Sequence, residues 1–264
     1  MRKKLLFGVV ALVLVVVAYL GYQSVNGGSD SSSNSDKVLR VATTGVSFPG
    51  SYKDSKGQLT GFDVEVTKAV AKKIGYKTKF TTTSFDGLLG LLSSKKVDVV
   101  ASSIAITDER KQSYDFSTPY ATFQYGVVTK SDSQLTSVDD LDNATLAATV
   151  GSNQIKVLKK FNDSININTY DDREAALSAV TNGKVDGYSN SKTILAAVIK
   201  QKKLDLKILD GDIGKENIAI AFNKGQNKDL QKKVNKALDE LEKDGTISKL
   251  SKKFFSNIDA SYKK

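Results

Sequence analysis

The chain of 264 residues contains no cysteine. That excludes disulfides, thiolate metal sites, cysteine nucleophiles and lipid attachment through cysteine. Histidine is absent as well. The usual general base, the usual partner of a nucleophilic serine and most zinc sites go with it. Any catalysis would have to rest on carboxylates, lysines or tyrosines, and neither a metal nor another cofactor is expected. Negative charge is in short supply too: 39 Lys and Arg face 29 Asp and Glu, a formal net charge of +10. Residues 1–36 hold +1 of this (Arg2, Lys3 and Lys4 against Asp30 and Asp36), which leaves +9 on the remainder. The lysines are scattered through expected helices rather than clustered with aromatics, so no nucleic-acid partner is expected. A polyanionic cell wall or an anionic lipid surface explains the excess equally well. Hydrophobic residues make up 40% of the chain, enough for a real core and against global disorder.

The start reads as an export segment. MRKK precedes sixteen uncharged residues, Leu5 to Leu20, and a basic end before an apolar run stays in the cytoplasm. Sixteen helical residues span roughly 24 Å, a little short of a ~30 Å hydrocarbon layer, and Gly21 and Tyr22 can extend the run. No small-x-small cleavage site stands out, Val25-Asn26-Gly27 being the nearest. Residues 1–22 are therefore expected to be a signal peptide or an N-terminal membrane anchor, with the anchor favoured. Residues 23–36, rich in Gly, Ser and Asp, read as a linker. Anchor, tether and body in that order place the body outside the cytoplasm.

The body alternates strands and helices. Val38–Thr43 reads as a strand, Thr44–Lys56 as a loop, and Gly57–Gly61 as a turn. Phe62–Ile74 places Val66, Ala69, Val70 and Ile74 at helical spacing, and Gly75 stops it. A strand follows at Lys77–Thr83, then a helix carrying Leu88, Leu89, Leu91 and Leu92 with Ser84 as its expected cap. The β-α-β-α-β order predicts a mostly parallel sheet covered on both faces. After the aromatic-rich stretch Tyr114–Tyr125 the pattern restarts, with strands expected at Gly126–Lys130, Thr145–Val150, Ile165–Tyr170, Val185–Tyr188, Leu204–Leu209 and Ile218–Phe222. Helices are expected at Ser137–Leu141, Ile155–Phe161, Arg173–Val180 and Ile194–Ile199. The tail, Asp229–Phe255, places Leu230, Val234, Leu238 and Leu241 on one face and breaks at Asp244-Gly245.

One stretch organises the rest. Val97–Ala101 is an apolar run ending in Ser102 and Ser103, and Arg110 follows seven residues after Ser103. Arginine presents a planar fork that matches a carboxylate in two-pronged fashion, so this segment is expected to grip the carboxylate of a small molecule. Its words recur. GLLSSKKVDVVASS (Gly90–Ser103) is echoed by ALSAVTNGKVDGYSNS (Ala176–Ser191), which suggests two similar lobes. Ligands in open α/β sheets sit outside the carboxyl ends of the strands, so two polar strand ends facing each other would make a cleft.

These words, with GFDVEVTKAVAKKIG, the GSNQ turn after TLAATV and ALDELEKDGTISKLSKKFF, extend in order over nearly all of residues 38–256. Together they resemble the extracytoplasmic solute-binding proteins of ABC importers, the polar amino-acid group of family 3 with the type II periplasmic-binding-protein fold. The resemblance implies an α/β, two-lobed clamp of mixed, mostly parallel sheets flanked by helices and joined by two crossover strands. Lobe 1 would be 37–126 plus 221–264, and lobe 2 would be 127–220. It implies an amino-acid ligand and, as partners, permease subunits with a cytoplasmic ATPase.

Residue by residue, Arg110 matches the arginine that binds the ligand α-carboxylate. Ser102, Ser103 and Ala105 match the strand-end groups around it, and Phe85 matches the aromatic that stacks on the ligand side chain. Thr149 closes the second-lobe strand, and Ser152, Asn153 and Gln154 match the helix start whose amides also hold the carboxylate, as a helix N-terminus suits an anion. Three departures follow. Ser191, preceded by Asn190, stands where an aspartate commonly pairs the ligand ammonium. Ser47, beside Phe48 and Pro49, stands in place of the first-loop aromatic. Thr44 stands where an acidic residue is often found. The implied ligand is thus a polar, non-basic amino acid or a similar small carboxylate. The alternative is an enzyme of the cyclohexadienyl or arogenate dehydratase kind on the same fold, for which Tyr188, Glu109 and Asp186 are the candidate acids. No convincing acid–base pair is visible among them, and no enzyme is expected.

Overall fold

The computed structural model describes residues 37–263. The expected leader, 1–22, and the linker, 23–36, lie outside the described residues. Among those described, no helix is long and apolar enough to cross a membrane.

In chain order, β1 (Val38–Thr43) is followed by a small antiparallel sheet of β2 (Val46–Ser47), β3 (Ser51–Lys53) and β4 (Leu59–Thr60). The sequence suggested only a loop and a turn there, because strands this short leave no readable alternation. α1 (Phe62–Lys73) buries Phe62, Val64, Val66, Val70 and Ala71. Then come β5 (Lys77–Thr82), α2 (Leu88–Ser93), β6 (Val99–Val100), α3 (Asp108–Ser113), β7 (Tyr114–Phe116) and β8 (Ala121–Lys130). The second half holds a 3-10 turn at Val138–Asp140, β9 (Thr145–Thr149), α4 (Gln154–Phe161), β10 (Asn166–Tyr170), α5 (Arg173–Thr181) and β11 (Gly187–Ser191). It continues through α6 (Lys192–Lys202), β12 (Leu206–Ile208), β13 (Gly214–Ile218), β14 (Ala221–Asn223), α7 (Lys228–Lys243) and α8 (Thr246–Phe254).

Two sheets result. The first has the order β5-β1-β6-β14-β7, parallel as far as β6 and antiparallel beyond. The second has the order β10-β9-β11-β8-β12, parallel among β10, β9 and β11 and antiparallel at β8. The fold is therefore a two-lobed clamp of mixed sheets flanked by helices. β8 and β13 are its crossover strands, and they pair antiparallel over Ala121–Tyr125 and Gly214–Ile218. This explains one difference from the sequence. Ile218–Phe222 reads as a single strand, but the chain changes sheets inside it. The Ala219 N–H donates to the Ile104 carbonyl at 3.0 Å and the Ser117 N–H donates to the Ile220 carbonyl at 2.9 Å, so β13 ends and β14 begins around the transfer. Ser84 also departs from its expected role. The residue before α2 is Gly87, which supplies no side-chain cap.

Aromatics weld the crossovers to the first lobe. Phe62 stands 5.7 Å from Tyr120 and 4.8 Å from Phe255, and Phe123 stands 5.8 Å from Phe255. All four are fully buried, each contributing about 1.5–3 kcal/mol by burial. The two Val-Asp words do equivalent work in the two lobes. The carboxylate Oδ2 of Asp98 accepts the Arg40 N–H of β1 at 2.9 Å, and that of Asp186 accepts the Thr145 N–H of β9 at 2.7 Å. In each case the aspartate's own N–H donates back to the same neighbour's carbonyl, at 2.9 and 2.8 Å.

Candidate functional site

Between the lobes lies a cavity of about 280 Å³. Arg110 reaches it from α3. Thr107 caps that helix, its Oγ1 accepting the Arg110 N–H at 3.1 Å. The guanidinium Nη1 donates to the Ala105 carbonyl at 3.0 Å, and Nη2 crosses to the Gly151 carbonyl at 3.2 Å. Arginine has five N–H donors, so three remain for a ligand. Burial lowers the Arg110 pKa, while Tyr125, Glu216 and Tyr114 raise it. Behind Arg110, burial raises the Glu216 carboxyl above its ordinary value against hydrogen bonds from Tyr125 and Asn153.

The opposite wall is the start of α4. Its preceding residue, Asn153, gives no side-chain cap, because its Nδ2 donates to Glu216 instead. The first-turn amides of a helix have no intrahelical partner, and here no side chain caps them from Asn153. They sit at the positive end of the helix dipole. Ser152, Asn153 and Gln154 line the cavity at this point, with Gln154 Oε1 accepting from Ser152 Oγ at 3.1 Å. The lobes touch beside it. Gly151 has φ +73°, and a Cβ there would meet Asp86 Cα and Cβ at 3.0 Å. Glu109 and Lys156 form an ion pair across the same seam. The clamp is closed.

Phe85 and the strand-end groups Ser102, Ser103 and Ala105 form the first-lobe wall. Ser103 has φ +51°, and its Oγ donates to Asp63 Oδ2 at 2.8 Å. Thr44 and Ser47 line the wall of the first loop, and the Thr44 Oγ1 is buried without a partner. From the second lobe come Thr149 and Asn190. The Asn190 side chain is spent locally, with Nδ2 donating to the Tyr188 hydroxyl at 2.5 Å and Oδ1 accepting the Ser191 N–H at 2.7 Å.

Two expected side chains stand elsewhere. Phe48 packs edge-on against Tyr52 with centroids 4.9 Å apart and lines a separate groove rather than the cavity. Ser191 is fully buried at the start of α6 and does not reach the cavity lining. The candidate acids are also structural. Asp186 is held by β9, Tyr188 is fully buried against Thr149 and Asn190, and Glu109 pairs with Lys156. Among the described residues no group of three or more acidic side chains stands close enough to hold a metal ion.

Four charged residues on the cavity were missed from the sequence: Asp63, Asp171, Asp172 and Arg173. Asp63 is 1% exposed and accepts the Tyr120 hydroxyl at 2.5 Å as well as Ser103. Burial pushes its pKa up to about 6, against those hydrogen bonds and the nearby charge of Arg173. Asp172 caps α5, its Oδ1 accepting the Ala175 N–H at 2.8 Å. The only signal for either was an acidic residue in a first helical turn, which reads as ordinary capping. Phe123 and Tyr125 of the crossover also line the cavity and were read simply as part of an aromatic stretch.

Comparison with known proteins agrees with this fold. Residues 39–257 match the family described as bacterial extracellular solute-binding proteins, family 3. The "Probable amino-acid-binding protein YxeM" of Bacillus subtilis is 48% identical over 249 residues, covering 92% of this chain and 94% of that protein. The "L-cystine-binding protein TcyJ" of Escherichia coli K12 is 33% identical over 220 residues, covering 83% and 82%. Among solved structures, one described under glutathione import in Gram-positive bacteria via GshT and the cystine ABC importer TcyBC of Streptococcus mutans superposes with a TM-score of 0.78. It is 32% identical and covers 86% of this chain and 98% of that one. These relatives are named as binding or import proteins and not as enzymes.

Proposed function

The chain belongs to the bacterial extracellular solute-binding proteins of family 3, and we propose that it captures a polar, non-basic amino acid or a similar small carboxylate and delivers it to the permease of an ABC importer. The observation that carries this reading is the convergence of Arg110 and the uncapped start of α4 on one small cavity, from opposite lobes. Each suits an anion, and each adds to the other only when the clamp is shut. A carboxylate between them links ligand binding to closure, a hinge motion of known type. The permease partner is supported by the names of relatives, among them a "Probable amino-acid ABC transporter-binding protein" of Haemophilus influenzae, 33% identical over 255 residues.

The non-basic side chain is supported by Thr44 and by the withdrawal of Ser191 from the cavity, which leave no acid at those two places. Of the three carboxylates that line it, Asp63 accepts from Tyr120 and Ser103, Asp172 accepts the Ala175 N–H, and Asp171 is exposed to solvent. A cationic ligand side chain would also meet Arg173. The lobe assignment is 37–126 with 221–264 and 127–220, hinged at β8 and β13. Residues 1–22, with 23–36 as tether, serve as the anchor that keeps the protein at the cell surface.

A melting screen over the common amino acids and cystine tests the reading. A ligand at a hundredfold its Kd should stabilise the protein by about 2.7 kcal/mol. Calorimetric titration with glutamine, glutamate, cystine and arginine then ranks the hits. Tight arginine binding would overturn the non-basic assignment, and the absence of any amino-acid ligand would overturn the function.

A further inference from the structure

Arg173 is the second cation on the cavity, beside Arg110. It opens α5 directly after the capping Asp172, and its guanidinium reaches the first lobe, where Nη1 donates to the Phe48 carbonyl. Its Nε is buried and has no hydrogen-bond partner. Nε–H and the Nη2–H parallel to it form the edge with which a guanidinium takes both oxygens of a carboxylate. That edge is the one left unpaired, because the nitrogen spent on Phe48 is Nη1. The neighbouring carboxylate of Asp63 feels the Arg173 charge. Its two oxygens, however, accept from Tyr120 at 2.5 Å and Ser103 at 2.8 Å rather than from Arg173.

The two arginines are reciprocal. Arg110 starts in the first lobe and binds a second-lobe carbonyl, Gly151. Arg173 starts in the second lobe and binds a first-lobe carbonyl, Phe48. Both line the same cavity. We propose that Arg173 is a second anion anchor, and that the ligand carries a second carboxylate at the far end of its side chain. This rests on the amino-acid capture proposed for Arg110 and narrows its class to acidic or double-headed amino acids. A carboxylate at that end presents two acceptors to two parallel donors. An amide turns one donor toward them and loses the match.

The test is calorimetric titration of the full-length protein with matched pairs: aspartate and asparagine, glutamate and glutamine, 2-aminoadipate and norleucine, cystine and cysteine. For at least one pair the two-carboxylate member should bind tenfold or more tightly than its partner. In Arg173→Gln that ratio should fall to about one, while Arg173→Lys, which keeps the charge without the fork, should fall between. Ligand-free melting of each variant checks folding, and the wild-type ratios alone decide the matter if Arg173→Gln does not fold. Partners bound as tightly as the acids, or a preference that survives Arg173→Gln, would overturn the inference. If single-carboxylate amino acids bind and the acids gain nothing, only this inference falls. If no member of any pair binds, the amino-acid reading falls with it.

Discussion

Replacing Arg110 by alanine is the sharpest perturbation of the cleft. The guanidinium spends two N–H groups on the Ala105 and Gly151 carbonyls, at 3.0 and 3.2 Å, and keeps three. A carboxylate taken two-pronged by those donors gains two charge-assisted hydrogen bonds, each about 1.5–3 kcal/mol net. Their loss is about 3–6 kcal/mol, or roughly two to four decades in Kd. The α4 amides remain and hold back only about 0.3–1 kcal/mol through the helix dipole, so binding should become weak without vanishing. Arg110→Lys restores charge without the fork and should recover part of the loss. The assay is calorimetric titration with the ligand that gives the largest melting shift, at two salt concentrations. Folding is checked by ligand-free melting. The site is half-buried, so water replaces the two lost side-chain bonds and Tm should fall by about 2–4 °C per kcal/mol of lost stability. An Arg110→Ala protein that is folded and binds within tenfold of the parent would refute the carboxylate assignment.

Two further outcomes follow from the same geometry. Gly151→Val should weaken ligand binding at least tenfold and hold the lobes apart. Its backbone is at φ +73° and its Cβ would press on Asp86 at 3.0 Å. Small-angle scattering with and without ligand reads the closure directly, and a ligand-induced compaction equal to the parent's would contradict the prediction. Asp63→Asn should flatten part of the pH dependence of stability. The parent carboxyl titrates at about 6 when folded, above its unfolded value near 3.9. Its contribution is therefore fully present below about 4 and lost as pH rises through about 6. That amounts to about 3 kcal/mol over the window, read as the difference between parent and variant in urea unfolding at pH 4 and pH 7.5. A parent-to-variant difference that does not change between those two pH values would show that Asp63 is not held protonated by burial.

The alternation of strands and helices was legible because each long element carries its period: Val66 and Val70 in α1, and Val234, Leu238 and Leu241 in α7, are all buried. The small sheet β2–β4 was not legible, nor was α3, whose residues Asp108–Ser113 bury nothing. Strands of two or three residues and a helix that buries none of its residues carry no readable pattern and are fixed by tertiary neighbours. Twelve of the fourteen residues expected at the cleft line it. Phe48 was misplaced because its ring packs on Tyr52 and lines a separate groove, a tertiary choice that no local pattern records. Ser191 was misplaced because its side chain, at the strand-to-helix junction before α6, is buried in the interior and does not line the cavity.

The charges of the cleft share a location that the strand-end rule does not cover. Where the resemblance leads one to look for acids, at Thr44 and Ser191, there are hydroxyls, both buried and without partners. The charged groups sit instead on helix starts: Asp63 is the second residue of α1, Arg110 the third of α3, Asp172 the cap of α5 and Arg173 its first residue. The strand starts, at the far side of each sheet from the cleft, are equivalent in the two lobes, since Asp98 and Asp186 brace them in the same way. A shared scaffold cannot by itself distinguish one ligand from another. The first-turn residues differ between the lobes, and they stand where a substitution changes charge without disturbing a strand ladder. On the proposed reading, selectivity in this clamp lies in the opening turns of its helices. It follows that exchanging Asp172-Arg173 should alter which ligand is held more than it alters whether the clamp folds.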